Sequence, residues 1–192
     1  MIWGWSVEGQ PFVVSGDGNL KIGFGGSAVR RFGRQHGRGL TCDAHRVETT
    51  TLYVDVLTDD QVDNLMDLYA GAWWAAQRSR DQVVRMLKGS DLLVCIADDV
   101  DGRIVGFARV LTDFTYLAMI LDVVVHPDCR GTGLGAALMD AVTRHPGLAD
   151  VQSLELVCQP ELVAFYEQWN FTDSVGRSLL MRRRTGDQDL RR

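Results

Sequence analysis

Long apolar runs are missing from this chain, and so is any excess of positive charge. The best candidate for a membrane-spanning run is broken by Asp122, well short of the ~18 residues such a helix needs. A membrane partner is therefore not expected. Lysine and arginine number 20 against 25 aspartates and glutamates, for a net charge of -5 and a pI near 5.3. That balance argues against nucleic acid, whose phosphates need a basic face, and it does not repel a cationic amine. Cysteine is sparse: Cys42, Cys95, Cys129 and Cys158 form no C-x-x-C pair. Reduced, buried thiols in a cytoplasmic protein are expected. Only four histidines are present. His36, Cys42 and His45 match no zinc spacing and lack a fourth ligand, so no metal is expected. The opening Met1-Ile2-Trp3-Gly4-Trp5 carries neither a basic stretch nor a long apolar core and does not read as a signal peptide.

What is present suits one globular domain: 192 residues, 46% of them hydrophobic. Composition changes near Thr49. Residues 1–48 hold half of the glycines and most of the irregularly placed arginines, Arg30, Arg31, Arg34 and Arg38. From Ser27 to Thr41 no apolar period is visible. This segment reads as a poorly ordered Gly/Arg-rich extension, with weak strands at Phe12-Val13-Val14 and Leu20-Lys21-Ile22. Gly23-Phe24-Gly25-Gly26 lacks the following Lys-Ser/Thr of a phosphate loop and reads as linker.

Residues 49–192 are regular. Thr51–Val56 is β-prone. Thr58 with Gln61, and Ser79 with Gln82, are capping boxes that open two helices. Gly89 is expected to end the second in a left-handed conformation. Strands follow at Leu92–Ala97, Arg103–Leu111 and Leu117–Val125, the first apolar enough to be covered on both faces. Leu134, Ala137, Leu138, Ala141 and Val142 mark an amphipathic helix. Leu154–Cys158 alternates as a strand. Pro160 opens a last helix that Asn170 closes, and Phe171–Met181 is expected to return as one or two strands. The order is β-α-α-β-β-β-α-β-α-β, an α/β fold with a mixed, mostly antiparallel sheet flanked by helices.

The chemistry concentrates where the strand ending at Val125 meets the helix starting near Gly133. Pro127 stops the ladder. Glycines then alternate at 131, 133 and 135. Without side chains there, backbone amides can converge on a bound group, and the helix start adds unpaired amides and a positive dipole end. That is a pyrophosphate cradle, with Arg130 as a fixed cation beside it. A dinucleotide fingerprint would need glycine where Ala136 stands and more βα units than the remaining chain supplies. A purely structural corner needs fewer glycines.

Asp122-Val123-Val124-Val125-His126-Pro127-Asp128-Cys129-Arg130-Gly131-Thr132-Gly133-Leu134-Gly135 resembles the signature of the GNAT superfamily of N-acetyltransferases, whose core Arg/Gln-x-x-Gly-x-Gly/Ala is met by Arg130, Gly133 and Gly135. Phe165-Tyr166-Glu167-Gln168-Trp169-Asn170-Phe171 is similar to a second motif of that family. The likeness covers about residues 49–183. It departs at Gln159, where the family often has Asn, and at Asn170-Phe171, where it usually has Gly-Phe.

The resemblance implies acetyl-CoA as cosubstrate and direct attack by an amine, with no covalent enzyme intermediate. Arg130, Gly131, Thr132, Gly133, Leu134, Gly135 and Ala136 are implied in cofactor binding, with Gln159 as a further contact. Backbone amides near Val123 and Val125 are implied to hold the thioester carbonyl and the pantetheine arm. Tyr166 matches the family's general acid, the alternative being that it only packs. Asp122 is either a base for the amine or a structural aspartate bonding backbone at a strand irregularity, since an unpaired carboxylate in an apolar strand is costly. Asp113 is a weaker base candidate. Trp73 and Trp74 lie between the first two helices, which usually border the acceptor site, and can wall a pocket or stack on a cation. The acceptor is a small-molecule or protein amine, and the enzyme a monomer or homodimer. The rival reading is an inactive CoA-binding sensor or scaffold of the same fold.

Overall fold

The computed structural model describes residues 49–99 and 101–183, and before them the backbone of five short strands. Two compact units, Met1–Val157 and Cys158–Arg192, divide the chain. Strands β1 (Trp3–Trp5), β2 (Pro11–Val13), β3 (Phe32–His36), β4 (Leu40–Cys42) and β5 (His45–Val47) come first. Then follow β6 (Thr49–Val54), α1 (Asp59–Ala70), α2 (Arg80–Lys88), β7 (Leu92–Asp98), β8 (Ile104–Thr112), β9 (Leu117–Val125), α3 (Leu134–Thr143) and β10 (Ser153–Leu156). Among its described residues the second unit holds one short helix, α4 (Val163–Tyr166), flanked by 3-10 turns at Pro160–Leu162 and Glu167–Trp169.

Six strands form the main sheet in the order β10-β9-β8-β7-β6-β3. All neighbours are antiparallel except β10, which runs parallel to β9. The expected mixed, mostly antiparallel sheet with flanking helices is the fold found. β3 lies inside the segment expected to be a poorly ordered extension. Its backbone pairs with β6 although its sequence has no apolar alternation, because a ladder is made by the main chain and not by a side-chain period. β2 (Pro11–Val13) overlaps the weak strand expected at Phe12-Val13-Val14. The other, at 20–22, and the loop at 23–26 fall outside the described residues.

Both capping boxes are formed. The Thr58 and Ser79 hydroxyls accept from the amides of Gln61 and Gln82, whose side chains bond back to the cap amides. Gly89 is not left-handed. At φ -95 its amide still bonds back into α2, so the helix tightens rather than reverses. Asn170 does adopt the left-handed conformation, at φ 62. Residues 172–183 form no strand. The Thr172 hydroxyl accepts from the Ser174 amide, and the Val175 amide donates to the Asp173 carbonyl. Gly176 at φ 72 then turns the chain, so local bonds replace the expected ladder.

The core sits on both faces of the sheet's centre. Leu93, Cys95 and Phe107 join Leu65, Leu68, Tyr69, Val83 and Leu87 of α1 and α2. Ile96 and Gly106 point the other way, toward Leu134 of α3. β7 is accordingly buried from Leu93 through Asp98, as its unbroken apolar run predicts. Cys95 is a buried free thiol, and burial pushes its pKa up to about 12. Cys158 is free as well. Cys129 departs from the expectation of reduced thiols, being disulfide-bonded. Among the described residues no helix is long and apolar enough to cross a membrane.

Leu138 is fully buried on α3. Leu138→Ala is expected to lower the unfolding free energy by about 2–5 kcal/mol through the cavity it leaves, read as a shift in urea midpoint at constant slope.

Candidate active site

The irregular point of the sheet is in β9. Phe107 stands opposite Val124 and Arg109 opposite Leu121, so Asp122 and Val123 together face Ala108 alone. This is a β-bulge, which bends the strand and takes the extra residue out of the ladder. Asp122 adopts φ 55, one of three non-glycine residues with positive φ among those described. Such a conformation costs about 1–2 kcal/mol for an ordinary residue and less for Asp, whose short side chain tolerates it. On its other edge β9 pairs with β10 only as far as Ile120. From Leu121 onward that edge has no ladder partner among the described residues.

The Asp122 side chain is 6% exposed and fully engaged. Arg78 grips both oxygens, its Nη1 donating to Oδ2 at 2.9 Å and its Nη2 to Oδ1 at 3.0 Å. Arg109 Nε donates to Oδ2 at 2.6 Å, and the Tyr69 hydroxyl to the same atom at 3.2 Å. Burial pushes the Asp122 pKa up, but the hydrogen bonds and charges of Arg78 and Arg109 outweigh it and hold the carboxyl below its usual range. Tyr69 is pushed well above the phenol range, first by burial and then by the Asp122 charge, so it stays a donor. Arg78 also lies over the rings of Tyr69 and Trp74, at 4.9 and 5.3 Å from their centroids. Arg78, Arg109 and Tyr69 belong to no motif in the sequence that would single them out. The signal that could have found them is Asp122 itself, since a carboxylate in an apolar strand requires cations nearby.

β9 then leads into the glycine loop. After the 3-10 turn Pro127–Cys129, Gly131 and Gly133 take φ 74 and 90. A Cβ at Gly131 would meet nothing within 4 Å, so the loop surface is open there. Gly133 caps α3 without any side-chain bond. The amides of Leu134, Gly135 and Ala136 in the first turn have no intrahelical acceptor and remain available to an anion. The Thr132 hydroxyl donates to the Cys129 carbonyl at 2.7 Å, fixing the turn. Arg130 is exposed, and its Nε donates to the Val125 carbonyl at 3.4 Å. This loop fits a pyrophosphate: open, glycine-lined, amide-rich and beside a cation.

In the second unit Tyr166 is 7% exposed and packs edge-on against Phe165 and Phe171. Burial, with a smaller contribution from Cys158, pushes its pKa up to about 12. Gln159 precedes the turn Pro160–Leu162, half-buried, and its side chain makes no capping bond there. In the first unit, the two tryptophans differ. Trp73 is 80% exposed, while Trp74 is half-buried, edge-on to Tyr69 at 5.9 Å. Asp113 is occupied as a turn cap, accepting from the amides of Thr115, Tyr116 and Leu117. His126 and His145 also serve as caps, through Nδ1, for Asp128 and Gly147. No cluster able to hold a metal occurs among the described residues.

Because the folded-state pKa of Asp122 lies below its ordinary value, its stabilising contribution is complete above about pH 4 and is lost as pH falls through the folded pKa. Denaturation series from pH 7 to pH 3 should therefore show a steeper loss for the wild type than for Asp122→Asn. At neutral pH that variant should be destabilised by about 3 kcal/mol, since two cations lose their partner. Curves of equal slope would contradict the assignment.

Residues 88–173 match the family model described as an acetyltransferase (GNAT) domain. Among curated proteins, the chain is 29% identical over 133 residues to an uncharacterized N-acetyltransferase, ycf52, of Pyropia yezoensis, covering 68% of this chain and 75% of that one. It is 34% identical over 97 residues to serotonin N-acetyltransferase 2, chloroplastic, of Oryza sativa subsp. japonica, covering 50% and 48%. Among solved structures, a GNAT-family protein from Xanthomonas campestris pv. campestris is 32% identical, with a TM-score of 0.57, over 70% of this chain and 93% of that one. With the bulged strand, the glycine loop and the sheet order, these likenesses place the chain in the GNAT superfamily of acetyltransferases.

Proposed function

We propose that the protein transfers an acetyl group from acetyl-CoA to a primary amine by direct attack. The observation that carries this reading is the open glycine loop, with Gly131 and Gly133 at positive φ and the uncapped start of α3, directly after a bulged strand. When bound, acetyl-CoA supplies an activated thioester and a thiol leaving group. Arg130 and the amides of residues 131–136 bind its pyrophosphate. The Val123 amide, outside the ladder, donates to the thioester carbonyl as negative charge develops there, and Val125 orients the pantetheine arm. Tyr166 donates its phenolic proton to the departing sulfur. Its raised pKa keeps that proton in place at neutral pH. Gln159 is a further cofactor contact.

The Asp122 carboxylate already accepts four hydrogen bonds, and both guanidinium groups favour its charged form. It is a poor acceptor for an ammonium proton, which leaves through water instead. Trp73 and Trp74 border the amine. The exposed Trp73 ring suits an acceptor with a flat or cationic face. The rice relative bears the name of a serotonin N-acetyltransferase, so serotonin belongs in the first acceptor panel beside polyamines and lysine peptides.

Acetyl-CoA at 100 times its Kd should raise Tm by about 5 °C or more, from about 2.7 kcal/mol of linkage, while NAD should leave it unchanged. No shift at saturation would end the reading. Tyr166→Phe should lower kcat by about 10²-fold with the acetyl-CoA Kd preserved. Binding without thiol release for any amine would instead identify a CoA sensor.

A further inference from the structure

Three separate elements send a side chain to one carboxylate. Tyr69 comes from α1, Arg78 from the segment between α1 and α2, and Arg109 from β8. They meet at Asp122, the residue of β9 that has left the sheet register. We propose that this cluster is a positioning device: Arg78, Arg109 and Tyr69 hold the Asp122 side chain and so lock the Asp122–Val123 bulge, keeping the Val123 amide out of the ladder and available to the acetyl group. The inference rests on the reading of the protein as an acetyl-CoA-dependent enzyme, and it assigns roles to four side chains in that same site.

A charge pair that merely satisfied a buried aspartate would need one arginine. Here two arginines and a phenol converge, Oδ2 alone accepting from three donors. The grip is also directional. Arg78 binds both oxygens through a fork and is itself stacked on Tyr69 and Trp74. Arg109 stands opposite Leu121, the last regular pair before the bulge, and its Nη1 reaches Ser90 Oγ at 3.5 Å. A left-handed residue within a strand persists only where its surroundings over-determine it, and these contacts do so. Without them Asp122 and Val123 can relax toward a regular extended register, in which the Val123 amide turns to the ladder or to the other face. Because Arg78 follows Trp73 and Trp74 in the chain, the same grip ties the acceptor-side segment to the bulge.

The test uses 1H–15N spectra of the full chain titrated with acetyl-CoA, which need no acceptor. In the wild type the amides of 131–135 and of Val123 should all shift. In Arg109→Gln and Asp122→Asn, the loop amides should shift as before and the Val123 amide should not. Arg109→Lys should recover part of its response, and Tyr69→Phe, which removes one neutral donor, most of it. Asn tolerates the left-handed conformation, so Asp122→Asn reports the lost charge and not a forbidden φ. With an amine acceptor at saturation, the first two variants should lose about 10²-fold in kcat, the scale for one oxyanion donor, with KM for acetyl-CoA within threefold. A Val123 response equal to wild type in both variants overturns the proposal, as does kcat within twofold of wild type. Silence of the wild-type loop amides would instead overturn the acetyl-CoA reading. Dispersed spectra before titration show that each variant is folded.

Discussion

A buried carboxylate gripped by two guanidinium groups and a phenol organises this protein. Asp122 sits where a regular strand would have placed an apolar side chain, and it is tolerable there only because Arg78 and Arg109 supply the charge. Those partners reach it from α1–α2 and from β8. The pairing therefore joins the helical layer to the sheet at the place where the sheet is irregular. The same irregularity takes Asp122 and Val123 out of one-to-one register with β8, shortly before the glycine loop in the chain.

The loop depends on a different constraint. A chain leaving a strand at Val125 and entering a helix at Leu134 must turn in a few residues, and two of them need positive φ. Glycine meets that need without strain and leaves the surface bare. With no side chain capping α3, the first-turn amides stay open to a ligand. Helix geometry and missing side chains thus leave an open, amide-bearing turn a few residues after the bulge, and both belong to the first compact unit.

Much of this was legible in the primary structure. The capping boxes, the buried β7, the bounds of β9 and the left-handed Asn170 follow from local rules, because each depends on residues within a few positions of one another. The final strand and the left-handed Gly89 did not hold. A strand is a pairing, and whether a partner is available is a non-local fact. The Thr172–Ser174 turn won over a ladder because its bonds are close at hand. The reverse happened at β3, where backbone pairing with β6 needed no apolar pattern.

Asp122 shows the division most clearly. Its oddity in an apolar strand was evident from sequence, and two roles remained open there, base or structural anchor. Which arginines meet it depends on pairing β8 with β9 in a bulged register and on packing α1 against them, contacts between residues 13 to 53 positions apart. By itself the sequence determined the family, the glycine loop and the helix caps, since these are short-range patterns of residue type. Only the tertiary structure decided which groups hold the carboxylate, because those charges are brought together by long-range pairing that no local spacing encodes.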